Sequence, residues 1–400
     1  MVFTRHSLHM AESYWPVFSS KSSESGIPRI GYLDWYVPRL EENRPHNLSL
    51  NGMQYEWNIK DLMKDSIFEI ANHHIGNLKD PRINVSTREN VDVERVVLCH
   101  GATQGLHIAV CAALANNDQN NVTIAVESPC YAPIVQSPQL FNHNVIKVRR
   151  LQPKENLGYW RIDKPQWLEA IKKSAILMIT PILNPSGWDY HNEDREWIVK
   201  TCKENDVIII ADEVYLDSKR RHSEYLPFYK LGDHCISINS LTKVYSLGTL
   251  RFGWIIASPK IAEQARRAFR TLGGMMGSPT LRIAESVFPE LETALDKVQE
   301  YREKNLPLLR KVFEKFNISW NEPSHGLFGA FRLPHGINAI DFIDRECKQY
   351  GVLLVPGNMF EEGLDDWIRV SWSIEPLLFE KAVINLEKAL FLAISQKTSQ

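Results

Sequence analysis

A chain of 400 residues, 44% apolar and 24% charged, has the composition of an ordinary globular protein and is long enough for a large domain with a smaller companion. A net charge of −2 and a pI near 6.7 give no electrostatic case for nucleic acid or an anionic membrane surface. No apolar run approaches the ~18–20 residues that span a bilayer.

Residues 1–28 are polar and serine-rich, with no apolar core of a secretory signal, and read as a mobile arm. Residues 29–58 interleave Tyr32, Trp35, Tyr36, Tyr55 and Trp57 with charge but show no period. They are expected to be an irregular strap over a cleft or a partner subunit, or a plain surface segment. Its acidic residues Asp34, Glu41, Glu42 and Glu56 either meet a cationic substrate or are simply solvated. Asp61–Asn72 has the apolar spacing of an amphipathic helix.

An alternation then begins. Strands are expected at 96–99, 122–126, 144–148, 175–180, 207–211, 235–239 and 252–257, with helices after Gly101 and over 167–173 and 193–204. Continuous apolar strands alternating with helices predict an α/β fold with a mostly parallel sheet covered on both faces. Ligands of such sheets sit at the carboxyl ends of the strands. After Pro279 a long charged helix, about 281–316, leads to short strands at 328–332, 352–355 and 368–372 and two more helices. The expected division is therefore a large domain over 59–280 and a small α+β domain over 281–400. The six cysteines lack CxxC spacing and fit reduced core thiols of a cytoplasmic protein better than disulfides or a metal site.

Several stretches just past these strands carry chemistry. Gly101–Gly105 sets backbone N–H groups at a helix N-terminus, a potential phosphate cradle, though glycine-flanked turns are common. Glu127-Ser-Pro-Cys-Tyr131 places a tyrosine that either stacks on a flat ring or packs in the core. Asn184-Pro-Ser-Gly187 offers a carboxamide but is also a good generic turn. Asp212 emerges from five apolar residues and either meets a cation or caps a helix. In Ser240-Leu-Thr-Lys243 and the following Arg251, a desolvated amine sits near a hydroxyl and a guanidinium able to grip phosphate. An exposed turn with a solvated lysine would read the same way. Arg369 lies within an apolar strand and needs an anionic partner.

In this order, over about residues 95–375, the stretches resemble the class I/II aminotransferases, fold-type-I enzymes that use pyridoxal phosphate. The resemblance implies a large domain with a seven-stranded-type sheet. By it, Lys243 holds the cofactor as a Schiff base, and Ser240, Arg251, Ala102, Thr103 and Gln104 surround its phosphate. Tyr131 stacks on the ring, Asn184 and Tyr215 reach the ring oxygen, and Asp212, 31 residues before Lys243, keeps the ring nitrogen protonated. Arg369, with Asn184, clamps the substrate α-carboxylate. Val355-Pro-Gly357 and His325-Gly-Leu-Phe-Gly329 resemble the family's small-domain motifs.

The sequence also departs from the pattern. The Asn72–Gly76 region lacks the tyrosine that reaches the partner's phosphate in the family, which leaves His73, His74 or Tyr55 as replacements. The strap reads Leu33–Pro38 and Asn51–Tyr55 and is loosely similar in layout to capreomycidine synthase. The expected reaction is transamination of an α-amino acid, with Lys243 moving the Cα proton. The alternative is β- or γ-elimination with ring closure on a hydroxylated, arginine-like amino acid. A binding protein that keeps the cofactor without turnover is the third reading. The strap and the flexible Gly273–Ser278 segment imply a homodimer with shared sites.

Overall fold

The computed structural model describes residues 30–63, 80–115, 121–153 and 159–398. The expected N-terminal arm and His73 and His74 lie outside the described residues, as does most of the helix expected over 61–72; the short helix that is described there, Ile59–Leu62, starts two residues earlier. The first strands are β1 (His46–Asn47), β2 (Val96–Cys99), β3 (Thr123–Ser128), β4 (Asn144–Leu151), β5 (Arg161–Ile162), β6 (Ile176–Ile179) and β7 (Ile208–Asp212). They continue as β8 (Cys235–Ser240), β9 (Gly253–Ile256), β10 (Phe328–Arg332), β11 (Val352–Leu353), β12 (Val355–Pro356) and β13 (Trp367–Ser371).

The main sheet runs in the order β2-β9-β8-β7-β6-β3-β4-β5. Neighbours from β8 through β4 are parallel, whereas β9 is antiparallel to both β2 and β8. The seven expected strands gain a two-residue edge, β5, antiparallel to β4. Both faces of the inner strands are covered, so β6 is apolar throughout and β7 is apolar up to Asp212. Ile176, Met178, Ile210 and Ile238 pack under Leu106, Ile108 and Ala109 of helix Ala102–Ala113. Leu177, Ile179, Ile209 and Ala211 face Trp167, Ile171, Ile198 and Cys202 on the opposite side. All six cysteines are free, and all but Cys111 are buried.

A second core gathers around the antiparallel sheet β10-β13-β12 and the β1-β11 pair, with Phe331, Phe342, Trp372, Phe379 and Leu386. The long charged helix is two helices, Ser278–Val287 and Leu291–Lys315, separated by a tight turn over Phe288–Glu290. Pro289 is the reason: its ring cannot continue a regular helix. Helix Leu291–Lys315 serves both cores. Leu295, Val298 and Tyr301 pack with the large-sheet side and Leu306, Leu309 and Phe313 with the other.

The strap is not irregular throughout. Gly31–Leu40 is a helix that contains Pro38 and buries Trp35. Its aromatics Tyr32, Trp35 and Tyr36 share one face, at i, i+3 and i+4, and pack together on the small core. This face lasts little more than one turn and is lost when a sequence scan runs on into the irregular residues that follow Leu40. Beyond it, Leu48 N–H donates to Leu353 at 2.9 Å and Met53 N–H to the Lys243 carbonyl at 2.7 Å. The segment thus passes from the small core to the lysine turn. Among the described residues no helix is long and apolar enough to cross a membrane.

Candidate active site

At the carboxyl ends of β3, β6, β7 and β8 lies a cavity of about 280 Å³. Its lining brings together Ala102, Thr103, Tyr131, Asn184, Asp212, Tyr215, Ser240, Lys243 and Arg251. These residues are spread over 150 positions of sequence, and the parallel sheet collects them because every βα turn opens on the same edge.

Lys243 lies three residues beyond β8, in a turn clamped from the strap side. Its Nζ donates to Asn51 Oδ1 at 2.7 Å and lies 6.0 Å from the Tyr215 ring centre. Desolvation, reinforced by Arg369 and Arg251 and opposed by Asp212, pulls its pKa down to about 8. Gly52 belongs to the same contact: a Cβ there would stand 3.2 Å from the Lys243 carbonyl oxygen.

Asp212 ends β7, is 6% exposed, and has one hydrogen bond among the described residues, accepted from Val214 N–H at 3.3 Å. Burial lifts its carboxyl to about 6 against that bond and the field of Lys243. A buried carboxylate so thinly satisfied awaits a cation or a donor in the cavity. Tyr215, three residues on, is buried and held edge-on to Phe328 at 4.9 Å.

The turn after β2 is built from backbone. Gly101 takes φ +80° ahead of helix Ala102–Ala113. A Cβ there would lie 2.4 Å from Arg251 Nη2, so glycine alone lets the guanidinium close over the helix N-terminus. Arg251 sits at φ 52° just before β9, its two terminal nitrogens donating to Gly248 and His100 carbonyls at 3.3 Å. Ser240 Oγ accepts from Thr242 N–H at 3.3 Å. The Gln104 side chain does not line the cavity. Its carbonyl oxygen accepts from His100 N–H at 2.8 Å and its amide lies beside Gly273.

Arg369 is fully buried on β13. It donates to Asn184 Oδ1 at 2.9 Å and to the Ser49 carbonyl at 2.5 Å, while its Nε has no partner. No carboxylate among the described residues pairs with it. Tyr32, Phe328 and Phe360 surround the guanidinium, with ring centres 5.9, 5.3 and 5.2 Å from its central carbon. It stands one layer behind the cavity, screened by Tyr32, Ser49 and Asn184, which do line it.

The strap supplies residues that sequence reasoning did not assign, namely Tyr32, Leu33, Tyr36, Ser49 and Asn51, along with Thr180 and Thr242 elsewhere. The Asn51-Gly52 pair was the one available signal. None of Asp34, Glu41, Glu42 and Glu56 lines the cavity. Glu42 is engaged by Arg44 at 2.7 Å and Lys348 at 3.1 Å. Tyr55 lies away from this chain's site, stacked at a tilt on Trp57 with centres 5.8 Å apart.

The cavity fits pyridoxal phosphate on three observations of its own: a buried amine of lowered pKa, a carboxylate without a cation, and a glycine cradle beneath an arginine. The family model "Aminotransferase class I and II" matches residues 82–383. An aspartate aminotransferase of Pyrococcus horikoshii is 21% identical over 354 residues, 83% of this chain and 87% of the relative. A PLP-dependent aminotransferase structure from Streptococcus suis superposes with TM-score 0.80 at 20% identity, over 92% of this chain and 99% of that one. The PLP-dependent cyclase OrfR superposes with TM-score 0.75 at 17% identity, over 94% and 100%.

Proposed function

Since this chain belongs to the class I and II aminotransferase family, whose cofactor is pyridoxal phosphate, we propose that it transaminates an α-amino acid whose side chain carries no charge. The observation that carries this reading is Asp212, buried at the cavity edge without a cation of its own and facing the same space as Lys243. When bound, pyridoxal phosphate supplies an electron sink for the pair left on the substrate Cα.

The chain's own residues do the rest. Lys243 is the attachment point and, with its pKa near 8, exchanges a proton with Cα at neutral pH. With the cofactor bound, Asp212 would keep the ring nitrogen protonated as its counter-ion. Asn184 and Tyr215 would donate to the ring oxygen, and Tyr131 would cover the ring face. Ser240, Arg251 and the N–H groups of Ala102, Thr103 and Gln104 would hold the phosphate. Arg369 takes the substrate carboxylate once Tyr32 yields, which satisfies its orphaned Nε.

The uncharged side chain follows from the remaining walls. Apart from Asp212, Lys243 and Arg251, each already given a role, the lining is aromatic (Tyr32, Tyr36, Tyr131, Tyr215), aliphatic (among them Leu33, Leu50, Leu106, Ile134 and Val214) and small neutral polar groups. With no further carboxylate or cation, a charged side chain would be desolvated without a partner. This wall also weighs against the arginine-like substrate of the elimination and ring-closure alternative, which the strap layout and the full-length match to a cyclase otherwise support.

The experiment is an amino-acid screen for spectral change at the bound cofactor, followed by product mass. A 2-oxo acid with the cofactor left in its amine form supports transamination. A product that has lost water or ammonia and closed a ring, with the cofactor unchanged, favours the alternative. We further propose a cytoplasmic location, supported by the six free cysteines, and a homodimer, supported by Met275, 65% exposed on the wall of an open cavity with Phe269, Arg270, Gly274 and Met276.

A further inference from the structure

Behind the loop that carries Asn184 is a second cavity, of about 210 Å³, lined by Ile182, Trp188, Lys219, Glu224, Ser324 and His325 among others. It shares no lining residue with the cavity around Lys243. At its rim His222, Glu224 and His325 each present one ligand atom, and the three atoms lie within 4.8 Å of one another. None of these residues takes part in the chemistry above.

The convergence is built by the backbone. His222 N–H donates to the Lys219 carbonyl at 2.9 Å, and Tyr225 N–H to the His222 carbonyl at 3.0 Å. Residues 222–225 therefore form a turn carrying two of the donors. The third comes from across the chain. Arg302 holds the Pro323 carbonyl at 2.5 Å, and Gly326 turns the backbone at φ +91° immediately after His325. The imidazole rings of His222 and His325 then meet with centres 4.4 Å apart at 62°. His325 Nε2 is buried and has no hydrogen-bond partner, a state that calls for a bound group.

We propose that His222, Glu224 and His325 form a binding site for a divalent transition-metal ion of the zinc class. Two imidazoles and a carboxylate are the ligands such an ion takes, whereas calcium and magnesium require several more oxygens. Three protein ligands leave a fourth tetrahedral position toward the cavity for water or a small anion. The two cations that act on His325, Lys219 and Arg302, are each held by a carboxylate that a further arginine shares: Lys219 and Arg195 on Asp189, Arg302 and Arg310 on Glu322. Glu224 therefore supplies the negative charge that favours a cation at the three ligand atoms. A bound ion would fasten the loop after Tyr215 to the segment before Phe328, two residues already in contact at the active site.

The test uses chelator-treated holoenzyme with pyridoxal phosphate bound, titrated with Zn²⁺ by calorimetry and with Co²⁺ by visible absorption. One ion per chain is expected, with the d–d bands of a four-coordinate site and a rise in Tm, and no heat from Mg²⁺. His325→Ala and His222→Asn should each lose at least about 100-fold in Zn²⁺ affinity, because even changes behind a metal ligand cost roughly 10–100-fold. His222 is exposed, so its variant reports on the site if the His325 variant does not fold. His335→Asn, an exposed histidine elsewhere, should bind as the parent does. Absence of Zn²⁺ binding by the parent chain, or unchanged affinity in the His222→Asn protein, overturns the site.

Discussion

Lys243 and Asp212 hold opposite departures from their ordinary ionisation, each caused by burial, and each can be read out by pH. The amine, lowered from 10.5 to about 8, is uncharged in growing fraction as pH rises through 8. Capture of added pyridoxal phosphate by cofactor-free protein should accelerate over that range, followed by absorbance in a stopped-flow instrument. An inflection near 10.5 would mean a solvated lysine. Lys243→Ala should lose the borohydride-fixed cofactor and, as a general base, about 10²–10⁴ in turnover. The Asp212 carboxyl, raised from 3.8 to about 6, behaves with the opposite sign. Below 3.8 it is neutral both folded and unfolded. Between 3.8 and 6 it is neutral only when folded, so its contribution to stability is lost as pH rises, and above 6 the penalty is complete. Two pKa units correspond to roughly 3 kcal/mol. Asp212→Asn should therefore make the cofactor-free protein more stable at pH 8 by that order in urea unfolding, with the gain vanishing toward pH 4, while turnover collapses. Equal turnover would falsify its role at the ring nitrogen.

Single elements decide how these residues are presented. The turn from β2 into helix Ala102–Ala113 works only while position 101 has no Cβ. Gly101→Ala would force a side chain into φ +80°, ψ 167° and against Arg251, at about 1–3 kcal/mol for the backbone alone. We expect weaker cofactor binding, by roughly tenfold, in a pyridoxal phosphate titration, with the melting temperature of the bound form also lower. Strand β13 presents Arg369. Lysine in its place cannot bond Asn184 and a carboxylate in one plane, so Arg369→Lys should raise KM for the amino acid by roughly 10–100-fold, the worth of one or two charged hydrogen bonds. What sequence could show follows from the same elements. Asp212 ends a run of aliphatics in β7, Ser240 ends β8, and Asn184 and Lys243 follow within five residues of β6 and β8, so a strand boundary points to each of them. The strap offers no such boundary: helix Gly31–Leu40 is short, its aromatic face of Tyr32, Trp35 and Tyr36 lasts little more than one turn, Pro38 lies inside, and no side chain caps its start. Tyr32 and Asn51 reach Arg369 and Lys243 across 337 and 192 positions, a separation that periodicity does not register. Pro289 was visible, yet the charged pattern on either side of it reads as one helix until tertiary packing shows two.

At the scale of the whole molecule the first question is how many chains make one site. Sedimentation at micromolar concentration should give a dimer, and mixing inactive Lys243→Ala with an inactive variant at the neighbouring chain's contribution should restore part of the activity. A fully active monomer would sink the shared-site reading. The second concerns motion within one chain. Helix Leu291–Lys315 is anchored at one end in the large-sheet core and at the other in the core that carries Arg369. Midway, Asn305 donates to the Trp372 and Ile374 carbonyls, both at 2.8 Å, and Pro307 interrupts the helical hydrogen bonds two residues later. At 1.5 Å per residue this rod is about 37 Å long, so it is a lever with its fulcrum near the middle. A flex of about five degrees at Pro307 would sweep the Lys315 end, about 12 Å away, by roughly 1 Å, enough to shift the arginine's strand toward or away from the lysine while neither core repacks.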